Sequence, residues 1–162
     1  MSKNSSSEPK SSLDLESAVK TIPFRKILIA LDLSGQAARI LYVSSYLASK
    51  SNAQILACNV SQVRTGFAAN ELDGSPANQE ERDTLDKLKE LIHESFGSAA
   101  ESIEVKILHG DPAERITEYA EYSDSDLIIM GSRGQGALKK ALVGSVSSSV
   151  FGKTKKSILV VK

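Results

Sequence analysis

A chain of 162 residues is long enough for one domain with a full hydrophobic core. Hydrophobic residues make up 41% and charged residues 25%, and Lys+Arg and Asp+Glu both stand at 20, so the overall charge gives no footing for a nucleic-acid or membrane-surface partner. A single cysteine, Cys58, excludes an intrachain disulfide and a cysteine metal cluster, and no apolar run approaches the ~20 residues of a membrane span.

Residues 1–22 are serine-rich and poor in apolar side chains, which predicts a disordered tail ahead of one domain over 23–162. The tail lacks the apolar core of a secretory signal, so a cytoplasmic protein is expected. "RKILIALD" then reads as a parallel strand buried on both faces, because its apolar run is nearly continuous. In "SGQAARILYVSSYLASKSN", Ala37, Ile40, Leu41, Ser44 and Leu47 fall at helical spacing, and Ser34 is the expected cap. "AQILACNV" predicts a second strand, and the Gly, Pro and Asn between Ser61 and Gln79 predict a long loop. The stripe Leu85, Leu88, Leu91 and Ile92 predicts an amphipathic helix that stops at Gly97.

"SIEVKILHG" reads as a third strand. Asp111, Pro112 and Glu114 then form the start of a helix: a cap, a proline at the first helical position, and the acid of a capping box. "SDLIIMG" predicts a fourth strand, "LVGSVSSSVFGK" a helix opening near Gly144 or Ser145, and "SILVV" a fifth strand. Strands alternating with helices imply a Rossmann-like α/β domain, a five-stranded parallel sheet with helices on both faces. Ligands of such sheets bind beyond the carboxyl ends of the strands. That rule selects Asp32 after the first strand, Asn59 to Ser61 after the second, His109 and Gly110 after the third, and Met130 to Gly134 after the fourth.

Charge points to the same edge. From Gly131 to Lys162 there are seven cations (Arg133, Lys139, Lys140, Lys153, Lys155, Lys156, Lys162) and no acid, so residues 1–130 sum to −7. Three familiar signatures fail. "GKT" at Gly152 lacks the glycine five positions earlier that a P-loop needs, and it precedes a strand; "GQGALK" has Lys139 where a dinucleotide fingerprint needs glycine; G-x-S-x-G is absent. His93 reads as a surface or half-buried helical side chain, whereas His109 ends a strand at the ligand edge. What remains is Gly131-x-x-Gly134, nine residues, then Gly144-Ser145. Glycines admit close backbone approach and positive φ, and a helix opening at Gly144 offers free N–H groups to an anion.

"KILIALDLSGQAARIL", "HGDPAERITEYAEYSDSDLIIMGSRGQGALKKALVGSVSSSV" and "SILVVK" resemble the universal stress protein family, over Arg25 to Lys162. Within that resemblance, G-x2-G-x9-G-[ST] marks the members that bind ATP. The likeness implies that Asp32, Val60 and Met130 border an adenine, that Gly131, Gly134, Gly144 and Ser145 hold ribose and phosphates, and that Val146 and Ser147 extend the phosphate contacts. It implies ATP, with or without Mg²⁺, as ligand, a homodimer formed through the C-terminal edge strand, and a stress- or energy-responsive regulatory binding protein. Two alternatives stand beside it: a slow ATPase or autokinase of the same fold, and a nucleotide-free dimeric interaction module. Two positions depart from the family: Asn59 stands where histidine is common, and "KKSILVV" replaces a proline-bearing close.

Overall fold

The computed structural model describes residues 24–62, 76, 78–134 and 144–162. The tail expected over 1–22 and most of the expected loop between Ser61 and Gln79 lie outside the described residues. So do Lys139 and Lys140. The elements in order are β1 (Lys26–Ala30), α1 (Ala37–Ser51), β2 (Gln54–Ser61), α2 (Gln79–Phe96), a 3-10 turn (Gly97–Ser102), β3 (Glu104–His109), α3 (Pro112–Tyr122), β4 (Leu127–Gly131), α4 (Ser145–Lys153) and β5 (Ser157–Val161). The expected alternation of strand and helix is the observed one. β2 ends one residue beyond the expected run "AQILACNV", so Asn59, Val60 and Ser61 are its last three residues.

The five strands pair in parallel in the order β3-β2-β1-β4-β5. Successive side chains of a strand point to opposite faces, so each buried run feeds two cores. Ile27 and Ile29 of β1, Ile55 and Ala57 of β2, and Ile129 of β4 meet Ile40 and Leu41 of α1 and Leu88 and Ile92 of α2. Leu28, Cys58, Leu108, Ile128 and Met130 face the other way, onto Ile116, Tyr119 and Ala120 of α3 and Val150 of α4. Each fully buried Ile or Leu contributes roughly 1.5–3 kcal/mol of transfer free energy, which is why near-continuous apolar strands end up covered on both sides.

Helix ends follow local chemistry, with one correction. Asp111 caps α3, its Oδ1 accepting the Glu114 N–H at 3.0 Å, and Pro112 takes the first helical position. The Glu114 carboxylate turns to Arg115 and Lys153. Gly97 ends α2 at φ 58, a left-handed conformation that glycine adopts without strain. Ser34 is not the cap of α1. Asp32 Oδ1 accepts the Ser34 N–H at 3.2 Å, a tight turn that delays the helix to Ala37 and leaves Gln36 at the cap position without a side-chain capping bond to α1.

At the amino ends of the strands, Asp126 ties β1 to β4. Its Oδ2 accepts the N–H groups of Arg25 and Lys26 at 2.7 and 2.9 Å. Burial pushes its pKa up, but those two N–H donors and the nearby cations outweigh burial and hold it below its ordinary value.

Candidate functional site

Strand order reverses between β1 and β4. The chain leaves β1 toward α1 on one face and leaves β4 toward α4 on the other, so a crevice opens between their carboxyl ends. A cleft of about 760 Å³ occupies it, running from the end of β4 and the start of α4, past β1, to the ends of β2 and the first turns of α2 and α3. All nine residues singled out in the sequence line it: Asp32, Val60, Met130, Gly131, Gly134, Gly144, Ser145, Val146 and Ser147. Met130 and Val60 serve two ends at once, because both also pack in the core shared with α3 and α4.

The glycines are explained by space and not by dihedral angle. Among the described residues, the glycines with positive φ are Gly97 and Gly110; Gly131, Gly134 and Gly144 are not among them. Of the two reasons the sequence offers for these glycines, close approach and positive φ, only the first applies at Gly131, Gly134 and Gly144. A side chain on Gly134 would begin 2.9 Å from Asp32 Oδ2, so the loop passes directly against that carboxylate. A side chain on Gly131 would begin 2.8 Å from Gln36 Oε1 and 3.2 Å from Ile40 Cδ1, so this glycine makes room for α1. Gly144, at φ −74 and ψ 160, is the cap of α4, and its N–H donates to the Ser132 carbonyl at 2.6 Å.

Electrostatically the cleft has two unlike ends. At the α4 end the helix starts without a side-chain cap and without an acid in its first turn. The N–H groups of its first turn, the N-terminal end of its dipole and the Ser145 hydroxyl favour an anion there, whereas the buried Ser147 hydroxyl donates to the Gly144 carbonyl at 3.1 Å. Arg133 is the one Lys or Arg among the described lining residues. At the other end stand Glu80, Glu81 and Thr84 of α2. Glu81 is buried, and its Oε2 lies 3.0 Å from Nε2 of the buried His109. This pair joins α2 to β3 and gives His109 a structural partner.

Sequence reasoning missed Glu81, because an acid on a charged helix looks solvated until the fold brings it against β3. The floor between the ends includes Cys58, whose thiol burial pushes up to about 12. Asn59, at the position where the family often has histidine, donates from Nδ2 to the Leu31 carbonyl at 2.8 Å and so braces the start of the Asp32 turn.

A doubly wound parallel sheet with a glycine-lined crevice at its switch point defines a Rossmann-like α/β domain. A sequence model of the universal stress protein family matches residues 23–162, and the chain belongs to that family. It is 31% identical over 144 residues to universal stress protein MJ0531 of Methanocaldococcus jannaschii, a match covering 86% of this chain and 82% of that one. The solved structure of MJ0577, from the same organism, superposes with a TM-score of 0.70 at 29% identity, covering 87% of this chain and 97% of that chain. The universal stress protein from Archaeoglobus fulgidus in complex with dAMP shares the fold, with a TM-score of 0.62 at 20% identity over 87% of this chain and 100% of that one. Among the described residues, no helix is long and apolar enough to cross a membrane.

Proposed function

We propose that this protein binds an adenine nucleotide, ATP foremost, in the cleft, and that it acts as a regulatory binding protein responsive to stress or energy state. The observation that supports this most is the first turn of α4, which opens on the cleft with no cap and no acid. Phosphates would lie there on Gly144, Ser145, Val146 and Ser147, with Gly131 and Gly134 giving backbone access. The base would lie toward Asp32, Val60 and Met130, away from the anion-favouring end. A relative's complex with dAMP agrees with this ligand class.

Mg²⁺ fits as an ion carried in by the phosphates. No three His, Cys, Asp or Glu side chains gather among the described residues, so the cation would be held chiefly by phosphate oxygens and water. When bound, the ion would neutralise phosphate charge.

The partner is a second copy of the chain. Among the described residues, β5 pairs with β4 on one side only, which leaves its other edge without a strand partner. Phe151 of the adjoining α4 is 76% exposed. Open strand edges pair readily with another strand. Sedimentation at micromolar concentration should give a dimer, and a monomer would remove this part of the reading.

Ligand binding is tested by melting. A ligand at a hundred times its dissociation constant adds about 2.7 kcal/mol of stability. ATP should raise the melting temperature and GTP should raise it less. An unchanged melting temperature in millimolar ATP would sink the nucleotide reading and leave the dimeric interaction module. Phosphate release well above a slow leak would instead favour the ATPase reading.

A further inference from the structure

Gln36 stands at the cap position of α1, outside the lining of the cleft. Its carboxamide nevertheless reaches the loop that forms the cleft wall. Oε1 accepts the Arg133 N–H at 3.3 Å, and Nε2 donates to Ser132 Oγ at 3.4 Å. Both bonds are long, so each alone is weak. Their placement matters more. The carboxamide fills the space that a side chain on Gly131 would take, with Oε1 2.8 Å from that position.

Ser132 is the point these contacts converge on. It is fully buried. Its N–H donates to the Val161 carbonyl at 2.7 Å, at the end of β5. Its carbonyl accepts the Gly144 N–H at 2.6 Å and the Ser147 hydroxyl at 3.5 Å, at the start of α4. Its hydroxyl is held by Gln36 from α1. One residue thus fixes β4, β5 and α4 relative to one another, and Gln36 adds the tie to α1.

We propose that Gln36 is a positioning residue of the nucleotide site: it holds Ser132 and Arg133 so that the backbone from Gly131 to Gly134 keeps its path against Asp32 and meets the phosphates already in place. This rests on the nucleotide reading above. A wall ordered before binding leaves less ordering to be done when the ligand arrives. Gln36 acts on the phosphate end alone, because its bonds go to Ser132 and Arg133 and not to Val60 or Met130. Gly131 then makes room for Gln36 and the Arg133 carbonyl as well as for the ligand.

The test is calorimetric titration of ATP and of adenosine into the full chain. Removing both bonds with Gln36→Ala should weaken ATP about tenfold and leave adenosine within about twofold. Gln36→Met keeps the bulk without the bonds, guards against a loss of packing, and should show the same split. Gly131→Ala should displace the carboxamide and reproduce the split. Added to Gln36→Ala it should cost less than it does alone, since the two changes break one contact. If wild type binds ATP and Gln36→Ala weakens ATP and adenosine equally, or neither, the positioning role is overturned while the nucleotide reading stands. If wild type binds no ATP, the nucleotide reading itself fails.

Discussion

Three helices start at the edge of the same cleft, and they do not start alike. α2 and α3 are capped by Asn78 and Asp111, whose side chains accept the N–H groups of Glu81 and Glu114. Both have acids in the first turn, Glu80 and Glu81 in one and Glu114 in the other. α4 has Gly144 at the cap, no side-chain bond and no acid. The first two helices satisfy part of their exposed N–H groups and dipole from their own sequence. Among the described residues, the third leaves these groups for water or a ligand. With glycine at the cap, omitting a capping side chain costs only a few tenths of a kcal/mol, which the fold absorbs easily while the helix start stays open to an anion.

The largest expected effect comes from erasing that difference. Gly144→Asp would give α4 the acidic cap that α3 has. The backbone there, φ −74 and ψ 160, suits any residue, though the new Cβ would press on the Ser132 carbonyl at 3.1 Å. A fixed carboxylate facing phosphates costs several kcal/mol, so ATP affinity should fall about a hundredfold or more by calorimetric titration. Circular dichroism should show the fold retained. Wild-type affinity in this variant would show that phosphates do not use the α4 end.

Gly134→Val sharpens the same contrast from the loop side. Its Cβ would start 2.9 Å from Asp32 Oδ2, and two further methyl groups would crowd the crevice. Overpacking of this kind costs about 1–3 kcal/mol, so ATP should bind about tenfold more weakly or worse, with less loss in melting temperature than in affinity.

Removing the cap on the contrasting helix should do the reverse. Asp111→Ala should cost about 1 kcal/mol of stability and leave ATP affinity within about twofold. Urea unfolding should show a lower midpoint at unchanged slope. A loss of ATP affinity as large as that of Gly134→Val would mean that α3 belongs to the anion end after all.

The smallest effect lies far from the cleft. Asp126 has a pKa lowered in the fold from 3.8, so its contribution to stability is full above that value and is lost as pH falls through the folded pKa. Wild type should therefore be slightly more stable than Asp126→Asn at neutral pH, and the two melting curves should converge in acid. Curves that stay apart in acid would assign the difference to packing and not to charge.

The contrast between helix starts also shows which parts of the fold were legible in the sequence. Apolar periodicity and the Asp111-Pro112 start are local signals, and each element they predicted is present. The nine candidate site residues were named from the family resemblance, and all of them line the cleft because the sheet gathers the ends of β1, β2 and β4 and the start of α4 at one edge. Ser34 was misread because a turn centred on Asp32 competes for it, and a serine before an apolar stripe does not reveal which it will join. Gln36 and the Glu81–His109 pair had no local signal. Their partners are 97 and 28 residues away, and only the sheet order brings them together.

Cys58 gives the cleft a consequence of another kind. It is the single thiol of the chain, 1% exposed, and it lies in the floor between the two ends. With its pKa pushed up to about 12, almost none of it is thiolate near neutral pH, and thiolate is the reactive form. A thiol-directed reagent therefore modifies this protein chiefly through moments when the floor opens. The rate of modification then measures how often β2 separates from its cover, with no introduced label and no competing cysteine. Any molecule lodged in the crevice makes that clock run slower, whatever its chemistry.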